Sequence, residues 1–384
     1  MKKINLDHLS SSPILSEARE SMLAFLSDDA AGNPLSKHFY GEKAKEALEE
    51  ARASVAGLIS AEPREIIFTS CGSESNNMAI KGAAATYAKK GRHIIASPIE
   101  HHSVIHPLKT LEKQGFQVSW LNVDKDGLVD PQEVSFLSRD DTILITVMFA
   151  SNEIGTLEPV REIGRIAREK DILFHTDAVA AVGFVPIDVG ELSVDLFSLA
   201  GNPFYGPVGS GALYVREGVK MLPLIEGGVQ EGGLRAGTHN LPSIVGMGVA
   251  AKQAIENLHV RREHLLNLRE RLIQGVLGGI QDSFLTGHRA ERLPHHASFC
   301  FKFIEGEALS LNLNLSGIAC SSGSACASEA SRISHVLQAI NLDHVLAQGS
   351  IMFTLGIDNC SEDIDAVLNM LSRSIDKLRK LSPL

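Results

Sequence analysis

The residues best suited to chemistry stand in a short polar segment near the C-terminal end of the sequence. In ACSSGSACASE (319–329), Cys320 and Cys326 flank a run of Ser and Gly. The segment is too polar to belong to a core and too rich in Gly and Ser to form a regular element. A thiol on such a loop can act as a nucleophile or carry sulfur, whereas a buried structural cysteine is inert. The segment therefore predicts a working thiol.

Two further stretches place polar side chains where α/β proteins bind ligands. FTSCGSESNNMAIKGAA (68–84) is typical of a strand and a Gly- and Ser-containing turn that opens a helix, which can hold a phosphate through backbone N–H groups. Taken alone, the commoner explanation is that Ser73 or Ser75 simply caps the helix. In FHTDAVAAVG (174–183), Asp177 follows a buried strand, at the edge of the sheet where ligands bind. A lone Asp is also a common turn residue.

A pair of histidines offers a different kind of site. IEHHSV (99–104) contains His101 and His102, but no third ligand accompanies them at a spacing typical of metal sites. Such pairs usually lie at the surface or make ordinary polar contacts. We therefore expect no metal here.

Composition excludes several classes of protein. The chain has 384 residues, is 44% hydrophobic and carries a net charge of −10 without any basic run, which argues against a dedicated nucleic-acid or membrane-surface binder. No stretch of about eighteen apolar residues occurs, and MKKINLDHLSSSP lacks the apolar region of a signal peptide. Five scattered cysteines do not suggest a disulfide framework. We expect a cytoplasmic protein with reduced thiols.

The elements that must position these residues alternate between strands and helices. Apolar residues at three- and four-residue spacing predict a helix over 42–58, and residues that form one apolar face predict a helix over 362–381. A long charged stretch from about 250 to 278 predicts a further helix that carries the chain out of the sheet. The alternation predicts an α/β fold with a mostly parallel sheet. We expect a large domain over 14–257 and a smaller α+β domain formed by 1–13 and 258–384. The predicted strands are 65–70, 93–98, 116–123, 142–149, 172–178 and 211–216.

Taken in order, the motifs cover nearly the whole chain. The sequence resembles the NifS/IscS-like cysteine desulfurases of the class V aminotransferase superfamily, which feed iron–sulfur cluster assembly. The resemblance implies the fold of the type-I pyridoxal-phosphate transferases and a homodimer. The motifs are GNPLSKHFYG (32–41), PREIIFTSCGSESNNMAIKG (63–82), IEHHSV (99–104), SNEIGTLEPV (151–160), FHTDAVAAVG (174–183), DLFSLAGNPFYGPVGSGALYVR (195–216), GGVQEGGLRAGTHN (227–240), SSGSACAS (321–328) and the C-terminal LRKLSPL.

Five positions keep the residue that the family uses to hold pyridoxal phosphate. The resemblance implies that Asp177 pairs with the pyridine nitrogen, that His101 stacks on the ring and that Asn152 lies near the ring hydroxyl. It also implies that Ser73 is a phosphate ligand, and that Thr238 reaches the phosphate of the other subunit. Cys326 stands where the family forms its persulfide, and we expect Cys320 to add a second thiol.

Other positions depart from the family. Where the family reads Ser-Gly-His-Lys, Ala200, Asn202 and Pro203 replace a phosphate hydroxyl, a histidine and the Schiff-base lysine. Ala180 stands where a glutamine bonds the ring oxygen, and Met352 where an arginine clamps the substrate carboxylate. Proline has no amine, so it can neither form a Schiff base nor transfer a proton at the substrate α-carbon.

These departures predict a desulfurase homologue that has lost conventional activity and binds pyridoxal phosphate weakly or not at all. Cys326 would accept sulfur or ligate iron, beside a scaffold or sulfur-acceptor protein, or in a heterodimer with an active desulfurase. Two alternatives stay open. The loop and fold could persist only for a dimer or partner surface, or the chain could be a desulfurase or other pyridoxal-phosphate enzyme with a non-covalently held cofactor. A new chemistry in the emptied pocket has little support, because no new set of catalytic residues replaces the lost one.

Overall fold

The computed structural model describes residues 2–27, 32–322 and 333–381. The strands among them are β1 (Ile4–Asn5), β2 (Ile66–Thr69), β3 (His93–Ala96), β4 (Gln117–Trp120), β5 (Thr142–Thr146), β6 (Leu173–Asp177), β7 (Leu196–Ala200), β8 (Gly211–Val215), β9 (Ser283–Leu285), β10 (His296–Phe301), β11 (Ile318–Ala319) and β12 (Ser350–Thr354). The helices are α1 (His8–Ser11), α2 (Ser16–Ala24), α3 (Phe39–Leu58), α4 (Gly72–Tyr87), α5 (His102–Lys113), α6 (Pro131–Leu137), α7 (Val160–Glu169), α8 (Val189–Leu192), α9 (Leu241–Gly279), α10 (Gly306–Leu315), α11 (His335–Ala339), α12 (His344–Gln348) and α13 (Ser361–Leu381).

A central sheet joins strands β2 to β8 in the order β2-β8-β7-β6-β5-β3-β4. The neighbours from β7 to β4 pair in parallel, and β8 runs antiparallel to both β7 and β2. The inner strands are buried and consist largely of apolar residues, as expected for a sheet covered on both faces by helices. The predicted α/β class with a mostly parallel sheet is confirmed. One strand, β7, was not predicted as a separate element.

A second core surrounds the antiparallel sheet β12-β10-β9. Its aromatic centre contains Phe299, Phe301 and Phe353, each fully buried. Helix α13 packs on this core with its apolar stripe, of which Ile364 and Ile375 are fully buried. The short strand β1 pairs in parallel with β11, which brings the N-terminal segment to this side of the molecule.

Helix α9 passes from the central sheet to the second core without a break. The expected start at residue 250 was late, because the helix begins at Leu241 with Pro242 in its first turn, where proline is well tolerated. The predicted domain boundary at 257–258 lies inside this helix, and the division into 14–257 and 1–13 with 258–384 stays a prediction. In the part of the chain that the structure describes, no helix is long and apolar enough to cross a membrane.

Candidate functional site

A cavity of about 530 Å³ opens beside the carboxyl ends of the central strands. Parallel strands end at the same edge of the sheet, so residues that follow different strands meet there. The cavity gathers nine of the predicted positions, and Thr238 and Cys320 are not part of its lining. These nine are Ser73, His101, Asn152, Asp177, Ala180, Ala200, Asn202, Pro203 and Met352.

A chain of hydrogen bonds joins two of the predicted ligands. Asp177 is 6% exposed at the end of β6, and its Oδ2 accepts from Asn76 Nδ2 at 2.6 Å. Asn76 also donates to Ser103 Oγ at 2.8 Å, and Ser103 Oγ lies 2.7 Å from His101 Nδ1. The backbone N–H of Ser103 donates to the same nitrogen, as in a helix cap. The network therefore fixes the carboxylate and the imidazole relative to each other.

Asp177 also makes the turn contact that the simpler explanation predicted. Its Oδ1 accepts from the N–H of Val179 at 3.0 Å. Glu100 is fully buried and accepts from the N–H of Met148 at 2.5 Å. Burial, reinforced by the negative charge of Asp177, raises the pKa of Glu100 well above its usual range.

Glu153 lines the cavity next to the predicted Asn152 and was missed by the sequence analysis. Burial raises its pKa to about 7, although a hydrogen bond from Ser334 Oγ acts in the opposite direction. A carboxyl group with this pKa can hold or release a proton near neutral pH. The sequence offered one indication that Glu153 belongs to the site: it directly follows Asn152 in SNEIGT.

His102 belongs to a cluster of rings outside the cavity lining. Its ring centroid lies 5.1 Å from that of His106 and 4.9 Å from that of His335. Burial and the neighbouring histidines lower the pKa of His102 to about 4, so the ring is neutral at pH 7. Within residues 2–27, 32–322 and 333–381, no group of three or more His, Cys, Asp or Glu side chains is arranged to hold a metal ion.

The cavity wall carries little polarity at several positions where the resemblance implies polar ligands. Pro203 is buried in the short 3-10 helix Asn202–Phe204, directly after β7. Ala180 and Ala200 are also buried, and neither side chain can donate a hydrogen bond. Met352 is 9% exposed on β12, where its backbone pairs with Ser321. Thioether sulfur offers no charge to a carboxylate.

These residues do not fit a covalently attached pyridoxal phosphate. Schiff-base attachment needs a primary amine, and the described residues that line the cavity include neither Lys nor Arg. The N-terminal turn of α4 remains, with Ser73 and backbone N–H groups that could contact an anion. The cavity thus offers hydrogen-bond donors to an anion, but its described lining has no primary amine that could anchor pyridoxal phosphate.

Thr238 is exposed, and it lies on the segment from Glu231 to Thr238, whose first residue takes part in a buried ion pair. Arg52 donates to both carboxylate oxygens of Glu231 at 2.7 and 2.8 Å, and His239 Nε2 lies 2.6 Å from the same carboxylate. Burial acts against ionisation of Glu231, but the hydrogen bonds from Arg52 and His239 prevail and lower its pKa to about 2. The predicted contact of Thr238 with a second subunit stays a prediction.

The two predicted thiols differ in what can be described. Cys326 lies outside the described residues. Cys320 is partly buried, with its Sγ 3.8 Å from Ser310 Oγ. Burial raises the pKa of Cys320 to about 11, which keeps the thiol protonated at pH 7. A role for Cys320 as a second working thiol stays a prediction.

Comparison with known proteins extends the likeness over the full chain. The class-V aminotransferase family matches residues 4–367. The cysteine desulfurase IscS of Dictyoglomus turgidum is 49% identical over 382 residues, which cover 100% of this chain and 97% of that protein. The cysteine desulfurase IscS of Methanosarcina thermophila is 49% identical over 383 residues, which cover 100% of this chain and 94% of that protein.

A solved structure described as a NifS-like protein superimposes with a TM-score of 0.92 at 35% identity. The superposition covers 98% of this chain and 100% of that structure. The likeness in sequence and the likeness in fold therefore cover almost the same residues of this chain. The chain belongs to the class-V aminotransferase family, in its NifS/IscS-like group, and has the type-I fold of the pyridoxal-phosphate transferases.

Proposed function

We propose that this chain is a cysteine desulfurase homologue that no longer performs Schiff-base chemistry and serves in sulfur transfer or iron–sulfur cluster assembly. Relatives that match it over its whole length are named cysteine desulfurase IscS, which supports a role in the same area of sulfur chemistry. The proposal makes Cys326 the working group.

The observation that carries this proposal is the character of the cavity wall. Among the described residues, the lining contains Asp7, Glu153 and Asp177 but neither Lys nor Arg. Pro203 supplies no amine, and loss of a general acid–base group alone costs about 10²–10⁴-fold in rate. A substrate carboxylate that meets Met352 instead of an arginine forgoes a charged hydrogen bond of roughly 1.5–3 kcal/mol. Both deficits affect the same reaction.

Cys326 needs none of the missing groups. The Cys326 thiolate can attack the outer sulfur of a donor persulfide, so that the donor's S–S bond breaks, the donor leaves as a thiolate and Cys326 carries the sulfur. The same thiolate can instead ligate iron on a docked scaffold. Neither role requires pyridoxal phosphate in this chain.

The proposal includes partners. We place the chain in the cytoplasm as a homodimer that docks an iron–sulfur scaffold or sulfur-acceptor protein. A heterodimer with an active desulfurase is the related form, in which Thr238 would complete the partner's cavity. The buried ion pair between Arg52 and Glu231 supports both forms, because it orders the exposed segment that carries Thr238.

A second candidate is a desulfurase, or another pyridoxal-phosphate enzyme, that holds its cofactor without a covalent bond. The hydrogen-bonded chain from Asp177 through Asn76 and Ser103 to His101 favours it, because both predicted ring contacts are pre-positioned. Membership in the class-V aminotransferase family is also consistent with this cofactor. We expect weak binding, since Ala200 and Asn202 replace two phosphate contacts.

One titration separates the two candidates. Absorption spectra of the purified protein are recorded before and after addition of pyridoxal phosphate and then L-cysteine, with sulfide release measured in the same sample. We expect neither a bound-cofactor band nor sulfide. A band accompanied by sulfide would overturn the main proposal and support the second candidate.

The role of Cys326 is tested by transfer rather than by desulfuration. Cys326→Ser should abolish transfer of sulfur from a labelled persulfide donor to an acceptor protein, whereas the matched variant Cys360→Ser should transfer normally. Asp177→Ala should also leave transfer unchanged, because the cavity has no part in it. Unaltered transfer by Cys326→Ser would exclude the proposed role of that residue.

A further inference from the structure

Ser103 and His101 lie side by side in the cavity lining, and neither the resemblance nor the proposed function gives Ser103 a role. Ser103 Oγ lies 2.7 Å from His101 Nδ1. Both residues are partly exposed, so a molecule in the cavity can reach them. A serine hydroxyl within hydrogen-bond distance of an imidazole nitrogen is the arrangement in which histidine activates a serine nucleophile. The pair therefore has the geometry of a nucleophile and its base.

The backbone decides which atom of this pair donates the hydrogen bond. The N–H of Ser103 points at His101 Nδ1 at 3.1 Å, and a backbone N–H can only donate. Nδ1 is therefore an acceptor without a proton, and the neutral ring carries its proton on Nε2. The hydroxyl of Ser103 must then donate to Nδ1. The imidazole is thus in the tautomer that can remove the serine proton.

Asn76 supplies the hydrogen bond that the serine oxygen accepts. Its Nδ2 donates to Ser103 Oγ at 2.8 Å and to Asp177 Oδ2 at 2.6 Å. Because the hydroxyl proton of Ser103 is directed to His101, its oxygen accepts from Asn76. A fixed donor on this oxygen stabilises the negative charge that develops there as the proton leaves. The hydrogen bonds therefore run in one direction, from Asn76 through Ser103 to His101.

Helix capping accounts for only part of this arrangement. His101 is the N-cap residue of α5, and its ring accepts from the N–H of Ser103. A cap of this kind needs the backbone N–H alone. It requires neither the hydroxyl of Ser103 nor the contact of that hydroxyl with Asn76. The cap thus explains the position of the imidazole, and the hydroxyl between the ring and Asn76 is an additional feature.

The first turn of α4 lies next to the pair. Asn77 Nδ2 donates to Ser73 O at 2.9 Å and to Ser103 O at 3.5 Å, which ties this turn to the start of α5. Gly72 and Ser73 line the cavity, and the first N–H groups of a helix have no acceptor within that helix. Backbone N–H groups of this kind stabilise the oxyanion that forms when a serine attacks a carbonyl carbon.

The rest of the lining favours an uncharged substrate. Among the described residues it contains neither Lys nor Arg to pair with an anionic group. A cavity of about 530 Å³ is in the usual size range for small-molecule sites, which are lined mainly by apolar side chains. The larger apolar residues of this lining are Leu9, Met148, Val179 and Met352.

We propose that this cavity hydrolyses small uncharged carboxylic esters, with Ser103 as the nucleophile and His101 as the general base. Ser103 Oγ attacks the carbonyl carbon while its proton moves to His101 Nδ1. The bond to the leaving alkoxide breaks, and His101 gives the proton to that oxygen, so that the alcohol leaves. Water then loses a proton to His101 and attacks the acyl group. The bond to Ser103 breaks, the carboxylic acid leaves, and the proton returns to Ser103.

The test uses the full-length protein and a fluorophosphonate, which phosphonylates activated serines with loss of fluoride. The labelled residue is located by peptide mass spectrometry, and hydrolysis of p-nitrophenyl acetate is followed in parallel. We expect label on Ser103 and none at this position in Ser103→Ala. His101→Asn should be labelled about 10²–10⁴-fold more slowly, the usual contribution of a general base. Asparagine is a good N-cap residue, so this variant keeps the start of α5 while it removes the base.

Two matched variants control for general effects on the cavity. Ser10→Ala removes another serine of the lining, and His102→Gln removes the neighbouring imidazole. Both should be labelled on Ser103 at the wild-type rate. If Ser103 of the folded wild-type protein takes up no label, or if His101→Asn is labelled at the wild-type rate, the inference is wrong.

This activity goes beyond the proposed function and involves neither Cys326 nor pyridoxal phosphate. Ser103→Ala should therefore leave sulfur transfer through Cys326 unchanged, and Cys326→Ser should leave the labelling of Ser103 unchanged. Loss of labelling with intact transfer overturns the inference and leaves the proposed function standing. Loss of transfer with intact labelling does the reverse.

Discussion

Pro203 stands in the cavity wall directly after β7, where the resemblance implies a lysine. The cavity of about 530 Å³ has room for a longer side chain. We expect Pro203→Lys to form a covalent adduct with added pyridoxal phosphate that borohydride traps, whereas the wild-type protein forms none. Sulfide release from L-cysteine should stay low in this variant, because Met352 cannot pair with the substrate carboxylate.

The second substitution tests that explanation. Adding Met352→Arg to Pro203→Lys should raise sulfide release by roughly 10–100-fold over Pro203→Lys alone, the range of a charged hydrogen bond. The measurement is steady-state sulfide production at equal protein concentration. If Pro203→Lys alone releases sulfide rapidly, the missing arginine does not limit the chemistry and the ranking of the lost groups is wrong.

Some of these side chains could be placed from the sequence and others could not. Asp177 ends β6, Pro203 follows β7 and His101 follows β3, and the shared edge of the parallel sheet brings the three together. The contact between Asn76 and Asp177 joins positions 101 residues apart, and no local pattern encodes it.

At the scale of elements, a buried ion pair fixes the position of the segment that carries Thr238. Arg52 reaches from α3 to Glu231, whose backbone adopts a positive φ of 48°. Arg52→Met should destabilise the protein by about 3–5 kcal/mol, because it leaves a buried charge without its partner. The matched variant Arg271→Met removes an exposed pair with Asp365 and should leave the midpoint of urea unfolding nearly unchanged, because solvent screens exposed ion pairs.

The same pair gives the stability a defined dependence on pH. Hydrogen bonds from Arg52 and His239 overcome burial and hold the pKa of Glu231 at about 2, below its usual value of 4.5. A lowered carboxyl pKa contributes stability that is fully present above pH 4.5 and is lost as the pH falls toward 2. Urea unfolding of wild type and Glu231→Gln should therefore differ most above pH 4.5 and converge below it. A constant difference across this range would contradict the assignment.

Element boundaries were harder to predict than element types. Helix α9 begins nine residues before the expected start at 250. The prediction was late because Gly246 and Gly248 interrupt the helical sequence pattern, although they do not end the helix. A Cβ at Gly248 would lie 2.6 Å from the Cα of Ala51, so the glycine serves close packing against α3. Strand β7 was missed because the sequence analysis treated its residues only as part of the motif DLFSLAGNPFYGPVGSGALYVR, which continues into the loop after the strand.

At the scale of the whole molecule, the surface around the Thr238 segment carries apolar side chains that face solvent in the single chain. Val229 is 74% exposed and Leu35 is 50% exposed, and the two line one groove. The resemblance implies a homodimer in which this segment reaches the other subunit. Burying two such side chains per subunit would stabilise association by roughly 1.5–3 kcal/mol for each one that is fully buried.

A charge in that groove should therefore separate the subunits. We expect wild type to show the mass of a dimer by light scattering, and Val229→Glu to show the mass of a monomer at the same concentration, because an unpaired carboxylate is costly to bury. Phe136→Glu is the matched control: Phe136 is 85% exposed on α6, away from the groove, and this variant should remain dimeric. If Val229→Glu also remains dimeric, the Thr238 segment does not lie in the interface, and its role in completing a partner's cavity is excluded.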